Sequence, residues 1–219
     1  MRKDNFFIEY AATLENSWVE TDKLKQDILY FFVKRCIDIL FAITGLFITS
    51  PIILIFAILI KIESKGPAFF FQERVGYQGK YFNVIKLRSM TLDAEKNGAQ
   101  WAQQNDPRVT KIGAFIRKTR IDELPQLINI IVGDMSVVGP RPERPIFTAQ
   151  FNQEIPGFIE RLTVKPGLTG WAQINGGYDL TPEQKLKLDD YYIKNYCLSL
   201  DIKIILKTVL ICFSGDGAR

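Results

Sequence analysis

The chain has 219 residues, 47% of them hydrophobic and 24% charged, with a formal net charge of +4 and no histidine. One ordinary domain with appendages fits that length. The missing histidine excludes a Ser-His-Asp triad, a Cys-His pair and a His-ligated metal, so any nucleophilic or proton-transfer chemistry rests on carboxylates, Lys, Tyr, Cys or Ser.

The basic residues are spread among acids rather than gathered in a block, which argues against a nucleic-acid partner. Cys36, Cys197 and Cys212 are far apart and show no Cys-x-x-Cys spacing. Cys36 and Cys212 have apolar neighbours and read as buried free thiols in a reducing compartment.

Residues 1–33 form an unassigned N-terminal segment. It carries Asp4, Glu9, Glu15, Glu20 and Asp22 and has no apolar run before Ile28, so no secretory signal is read there. From Ile39 to Ile60 there is no charged residue. That run of about 22 residues is near the length of a spanning helix. Ser50-Pro51 interrupts it: the proline removes the amide that would bond the Phe47 carbonyl. Cations flank it on both sides, Lys34 and Arg35 before, Lys61 and Lys65 after. A single span normally has its positive flank on one side only. Two readings stay open on this ground. The segment either enters the membrane, turns at Ser50-Pro51 with Ser50 bonding a freed carbonyl and leaves by the same face, or is a kinked spanning helix.

Beyond the turn signal Lys65-Gly66-Pro67, Ala68–Phe71 pairs with Tyr81–Ile85 across Gly76-Tyr77-Gln78-Gly79 as a β-hairpin. After Asp106-Pro107 helical spacing appears at Ile112, Phe115 and Ile116. The next helix is read with Asp122 as N-cap, Pro125 in its first turn and Gly133 as its stop. Thr181-Pro182-Glu183-Gln184 opens a later helix with a capping-box pattern. Leu198–Phe213 is apolar with Asp201, Lys203 and Lys207 interspersed, the pattern of an interfacial helix.

Three places carry candidate chemistry. Asp122 and Glu123 are adjacent acids attended by Arg117, Lys118 and Arg120. On their own they read first as acids that cap a helix start and complement its dipole. The alternative is a reactive pair, since adjacent helical residues point roughly 100° apart and one carboxylate could attack phosphorus while the other holds a metal. Gly139-Pro140-Arg141-Pro142-Glu143-Arg144-Pro145 holds Arg141 on a stiff backbone, suited either to bidentate phosphate binding or to a solvated connection. Lys86-Leu87-Arg88 places two cations on one strand face, a face more often solvated than functional. No Walker loop and no dinucleotide glycine fingerprint is present.

Taken in order, Lys34-Arg35-x-x-Asp38, Ser50-Pro51, Gln72-Glu73-Arg74-Val75-Gly76, Lys86-Leu87-Arg88-Ser89-Met90, Asp122-Glu123-Leu124-Pro125-Gln126, Gly133-Asp134-Met135-Ser136, Gly139-Pro140-Arg141-Pro142, Lys165–Gln173 and Asp201-Ile202-Lys203 resemble the bacterial sugar transferase family, the monotopic polyprenyl-phosphate phosphoglycosyl transferases.

The resemblance covers roughly residues 30 to 215. It implies an α+β, mostly helical fold with a re-entrant membrane helix hairpin over 34–62 that breaks at Ser50 and Pro51. A cytoplasmic catalytic domain with a small β-hairpin and interfacial amphipathic helices follows over 63–219. It implies a monotopic protein on the cytoplasmic face of the bacterial inner membrane. Its substrates are a UDP-sugar and polyprenyl (undecaprenyl) phosphate, its surroundings are membrane lipids, its cofactor is Mg²⁺, and a homo-oligomer is left open. Asp122 is the implied nucleophile, giving an aspartyl phosphosugar and UMP, and Asp122 and Glu123 the implied metal ligands. Arg117 and Arg141 match phosphate-binding positions, and Lys86 and Arg88 join them as candidate phosphate contacts. Arg141–Pro145 and Gly177-Tyr178-Asp179-Leu180 look more like hexose-phosphate transferases of exopolysaccharide or capsule assembly.

Overall fold

The computed structural model describes residues 28–96, 98, 106–177 and 180–214, the side chains of 212–214 excepted. Helix α1, Ile28–Glu63, is followed by strands β1, Phe69–Val75, and β2, Tyr81–Leu87. Then come α2 (Lys111–Lys118), α3 (Gln126–Val132), β3 (Ser136–Val138), α4 (Pro145–Glu154), β4 (Gly167–Thr169), α5 (Trp171–Ile174), α6 (Pro182–Asn195) and α7 (Leu198–Ser214). The class is mostly helical with two small two-stranded sheets, β1–β2 antiparallel and β3–β4 parallel.

α1 is long and apolar enough to cross a membrane. Only 17% of its most apolar window is buried, whereas the core helix of a soluble protein would be mostly covered. The resemblance implies a break at Ser50-Pro51, but the helix runs unbroken through Pro51. The orphaned acceptor is satisfied inside the helix: Ser50 Oγ donates to the Phe47 carbonyl at 3.0 Å, and Thr49 Oγ1 to that of Gly45 at 2.7 Å. Hydroxyl-to-carbonyl bonds of this kind bend a helix rather than end it. Cys36 is also corrected: it is exposed on α1 rather than buried, as is Cys197, while the Cys212 side chain lies outside those described.

Both halves of α1 seat on the same body. Ala42 enters a core with Val84, Leu127, Ile130, Met135, Val137, Val138 and Ile204. Ile53 and Ile60 enter a second core with Ala68, Leu87 and Ile116. Polar ties fix the N-terminal end of α1. Lys34 Nζ and Tyr30 Oη reach Asp201 of α7 at 2.8 and 2.9 Å, Arg35 donates to the last carbonyls of α3 at Ile130 and Ile131, and Asp38 accepts from the Val137 amide at 2.9 Å. The spaced motifs Lys34-Arg35-x-x-Asp38 and Asp201-Ile202-Lys203 are thus two sides of one docking joint.

The hairpin forms across Gly76–Gly79 as expected and extends β1 to Val75, with Phe69 opposite Leu87 and Val75 opposite Tyr81. Gln78, at φ 52, turns the chain between the strands. Thr181 and Gln184 make the reciprocal capping box that opens α6, and Gly133, at φ 98, ends α3 in the left-handed conformation glycine adopts freely. α7 turns Asp201 and Ile204 inward and leaves Ile202, Leu206, Val209 and Leu210 exposed along one face.

Candidate active site

Asp122 is not the N-cap of α3, because Pro125 holds that position. Asp122 and Glu123 lie in a 3-10 turn, Ile121–Glu123, between α2 and α3. The turn opens at Arg120, whose φ of 57° and ψ of 15° are left-handed and uncommon for a side-chain-bearing residue. Such local strain persists only where surrounding structure holds it, and it clusters at functional sites. The kink drops both acids inward, leaving them 8% and 7% exposed.

Lys86 reaches this turn because α3 carries both elements. Asn129 of α3 accepts from the Ile85 amide at 3.0 Å and donates to the Asn83 carbonyl at 2.8 Å, acting as a short extra pairing edge for β2. That grip brings Lys86 Nζ to Glu123 Oε1 at 3.0 Å.

Arg141 arrives from the other side. The backbone around Gly139 packs so closely on the Lys165–Gly170 segment that a Cβ at Gly139 would stand 2.3 Å from the Lys165 oxygen, and one at Gly170 2.2 Å from the Gly139 oxygen. The following proline-rich segment is pinned through its carbonyls, Arg161 Nη2 donating to Arg141 at 3.0 Å and Arg74 Nη1 to Pro142 at 2.9 Å. Arg141 then meets Glu123 with both ends of its fork, Nη2 to Oε1 at 2.5 Å and Nη1 to Oε2 at 3.4 Å.

These groups border a cavity of about 370 Å³. Its lining brings together Lys86, Arg88, Arg117, Asp122 and Arg141, all singled out from the sequence, while Glu123 touches it through Lys86 and Arg141. Arg88 is buried in the wall, where its guanidinium donates to the Lys65 and Ser64 carbonyls and the Ser64 hydroxyl at 2.8 to 3.0 Å. It therefore clamps the end of α1 to the hairpin while its charge borders the site. Ser50 and Pro51 lie in the exposed middle of α1, outside the cavity lining.

The two acids are driven apart electrostatically. Burial, reinforced by the neighbouring Glu123 charge, pushes Asp122 up to about 6, against the pull of Lys86, Arg117 and Arg141. Burial would raise Glu123 too, but Arg141 and Lys86 outweigh it and hold that carboxyl well below the usual range. Glu123 is a fixed anion, and Asp122 is an under-neutralised carboxylate that is largely ionised at pH 7. Among the described residues no group of three or more acids, cysteines or histidines is placed to hold a metal. Mg²⁺ usually keeps several waters and takes only one or two protein carboxylates, and Asp122 and Glu123 are two adjacent carboxylates.

Several lining residues had no role assigned from sequence: Arg74, Arg120, Glu143, Arg161, Gln173 and Lys185. Glu143 and Gln173 sit inside motifs already singled out, so proximity to those motifs was the available signal. Arg161 and Lys185 reach the cavity only through tertiary folding. Tyr178 and Asp179 lie outside the described residues.

A cationic cavity beside a buried Asp-Glu pair is thus clamped to a helix long and apolar enough to cross a membrane. The chain belongs to the bacterial sugar transferase family, whose model matches residues 29–215. It is 48% identical over 194 residues to the UDP-N-acetylgalactosamine-undecaprenyl-phosphate N-acetylgalactosaminephosphotransferase of Aeromonas hydrophila, covering 87% of this chain and 46% of that protein. It is 63% identical over 154 residues to a Bacillus subtilis (strain 168) protein named for undecaprenyl-phosphate N-acetylgalactosaminyl 1-phosphate transfer, covering 70% of this chain and 84% of that one. Against the UDP-glucose:undecaprenyl-phosphate glucose-1-phosphate transferase of Escherichia coli (strain K12) it is 43% identical over 191 residues, 85% of this chain and 41% of the other. The chain thus spans less than half of the Aeromonas and Escherichia relatives and most of the Bacillus one.

Proposed function

We propose that the protein transfers a sugar 1-phosphate from a UDP-sugar to undecaprenyl phosphate, releasing UMP, at the cytoplasmic face of the bacterial inner membrane. One observation carries the reading: Asp122, a buried carboxylate raised by its burial, opens into a cavity otherwise dominated by Lys and Arg. The substrate pair comes from the relatives' names. Because the two relatives of 48% and 63% identity are named for N-acetylgalactosamine, an N-acetylhexosamine is favoured over the plain hexose that Arg141–Pro145 suggested.

The chemistry follows from the charges. A carboxylate oxygen of Asp122 attacks the phosphorus bearing the sugar. The bond from that phosphorus to the bridging oxygen breaks, and UMP leaves with the electron pair. An oxygen of the lipid phosphate then attacks the same phosphorus, and the Asp122 oxygen departs as carboxylate. Lys86, Arg117 and Arg141 reduce the repulsion between an anionic nucleophile and an anionic diphosphate. Arg88 adds positive potential from the wall. Asp122 and Glu123 are the residues that would hold Mg²⁺, which would supply further charge neutralisation.

The location is argued from α1. Both of its halves pack on one body, so its two ends belong on one side of the membrane, and the exposed Phe47, Ile48, Leu54 and Ile55 enter lipid between them. This is re-entrance by a helix without a loop, flanked by cations at both ends. The apolar row of α7 suits the lipid headgroup boundary beside it.

The test is transfer of label from radiolabelled UDP-N-acetylgalactosamine and UDP-glucose into undecaprenyl phosphate by wild type and Asp122→Asn, with Mg²⁺ or with chelator. Acceptor-dependent label that disappears in the variant and with chelator is expected. Equal transfer by both proteins removes Asp122 from the chemistry, and no transfer by wild type favours a membrane-anchored interaction protein instead.

A further inference from the structure

Among the described residues ten Lys or Arg side chains line the cavity but only three acids, Glu95, Asp122 and Glu143. Glu95 is engaged by the fork of Arg144 at 2.8 and 3.1 Å, and Asp122 is the proposed nucleophile. Glu143 is different. It is buried, and Lys185, Arg74 and Arg161 stand 3.6, 3.8 and 4.0 Å from its oxygens. Those distances give ion pairing beyond hydrogen-bond range, so the three cations surround the carboxylate without filling its lone pairs. Arg161 directs its bonds to Asp189, at 3.1 Å from Nε and 2.5 Å from Nη2, and to the Arg141 carbonyl.

Gln173 is a second acceptor in the same lining. Its Nε2 donates to the Leu168 carbonyl at 3.0 Å, which sets the orientation of the amide. The Oε1 atom is left buried with no hydrogen-bond partner among the described residues. Native structures pair nearly all buried polar atoms, so an orphaned acceptor in a cavity wall signals a missing donor.

A phosphate offers neither group anything, being itself an acceptor. What suits both is a part of the ligand that donates hydrogen bonds and carries no charge. Building on the nucleotide-sugar reading above, we infer that Glu143 and Gln173 form a subsite for the hydroxyl-bearing ring of the donor substrate, distinct from the phosphate cradle of Lys86, Arg117 and Arg141. The chemistry recognised is a ring hydroxyl or an acetamido N–H. Two rings of the donor present hydroxyls, the pyranose and the ribose. A buried acceptor built for a substrate hydroxyl discriminates strongly, since a ligand lacking that donor leaves it unpaired.

The experiment compares wild type, Glu143→Asp and Gln173→Met, each checked for thermal unfolding. Glu143→Asp keeps the charge among the three cations and withdraws the oxygens by one methylene. Three probes are used: turnover of UDP-N-acetylgalactosamine, inhibition by UMP, which keeps the ribose but lacks the sugar, and inhibition by pyrophosphate, which has no ring. In both variants kcat/KM for the donor is expected to fall at least tenfold while inhibition by pyrophosphate stays within twofold. Unchanged UMP inhibition then assigns the contact to the pyranose, and UMP inhibition weakened in step with the donor assigns it to the ribose. If kcat/KM stays within twofold of wild type, or if pyrophosphate weakens in parallel, the subsite is overturned. A wild type that transfers from no UDP-sugar overturns the nucleotide-sugar reading and this subsite with it, whereas active wild type with unaltered variants overturns the subsite alone.

Discussion

Arg141 and Glu123 meet fork to carboxylate, and Lys86 completes the contact from the opposite wall. Two chain segments 18 residues apart are thereby locked across the cavity beside Asp122. Glu123 thus fixes the position of two cations while it stays ionised, and Asp122 keeps the uncompensated charge.

Arg141→Lys tests the geometry of that lock. Lysine keeps the charge and Glu123 keeps a partner, so the fold is expected to survive. The planar two-point contact is lost, and a lysine cannot reproduce it. Turnover is expected to fall about 100-fold, the scale for losing one preorganised electrostatic contact. Steady-state transfer assays alongside thermal unfolding check this.

Asp122→Asn is expected to stabilise the protein while silencing it. The carboxyl is raised from 3.8 to about 6 on folding, chiefly by burial. A group raised in the folded state contributes stability that is full below pH 4 and is lost as pH climbs through 6. The asparagine variant should therefore match wild type near pH 4 and exceed it at pH 8, by about 3 kcal/mol at most from the shift. Thermal unfolding at the two pH values decides it, and a variant less stable at pH 8 would contradict the electrostatic account.

The same shift sets the pH dependence of the first displacement. On the proposed mechanism only the carboxylate form of Asp122 attacks, so the rate of UMP release at limiting donor should rise about tenfold per unit below pH 6 and level off above it. The UDP-sugar diphosphate does not titrate in that range, so rapid-quench measurement without lipid acceptor isolates the enzyme group.

Local signals in the sequence were read correctly where the physics is local. The hairpin across Gly76-Tyr77-Gln78-Gly79, the Thr181–Gln184 box, Gly133 and the Phe47 carbonyl taken by Ser50 each depend on residues a few positions apart. Asp122 was read as an N-cap because a helix pattern follows it. The left-handed Arg120, which places Asp122 in a separate turn, has no signature in composition. Arg88 looked like a phosphate cation, but its hydrogen bonds go to the end of α1, and only the folded packing of hairpin on helix reveals that. Arg161 and Lys185 converge on Glu143 from distant segments, which spacing does not encode.

The seating of α1 predicts its topology. With Cys36, Cys197 and Cys212 replaced, single cysteines at Ile28→Cys and Glu63→Cys should both label with a membrane-impermeant maleimide from the same face of sealed vesicles. Labelling of the two from opposite faces would make α1 a spanning helix.

The most direct test of the account is the mass of the protein after incubation with Mg²⁺ and UDP-N-acetylgalactosamine without undecaprenyl phosphate, followed by peptide mapping. An increment of one N-acetylhexosamine phosphate on the peptide containing Asp122, absent in Asp122→Asn and discharged when lipid phosphate is added, is the predicted result. Transfer to lipid that proceeds normally with no such increment at any time, including rapid quench, would contradict it and make Asp122 a participant in direct transfer rather than the nucleophile.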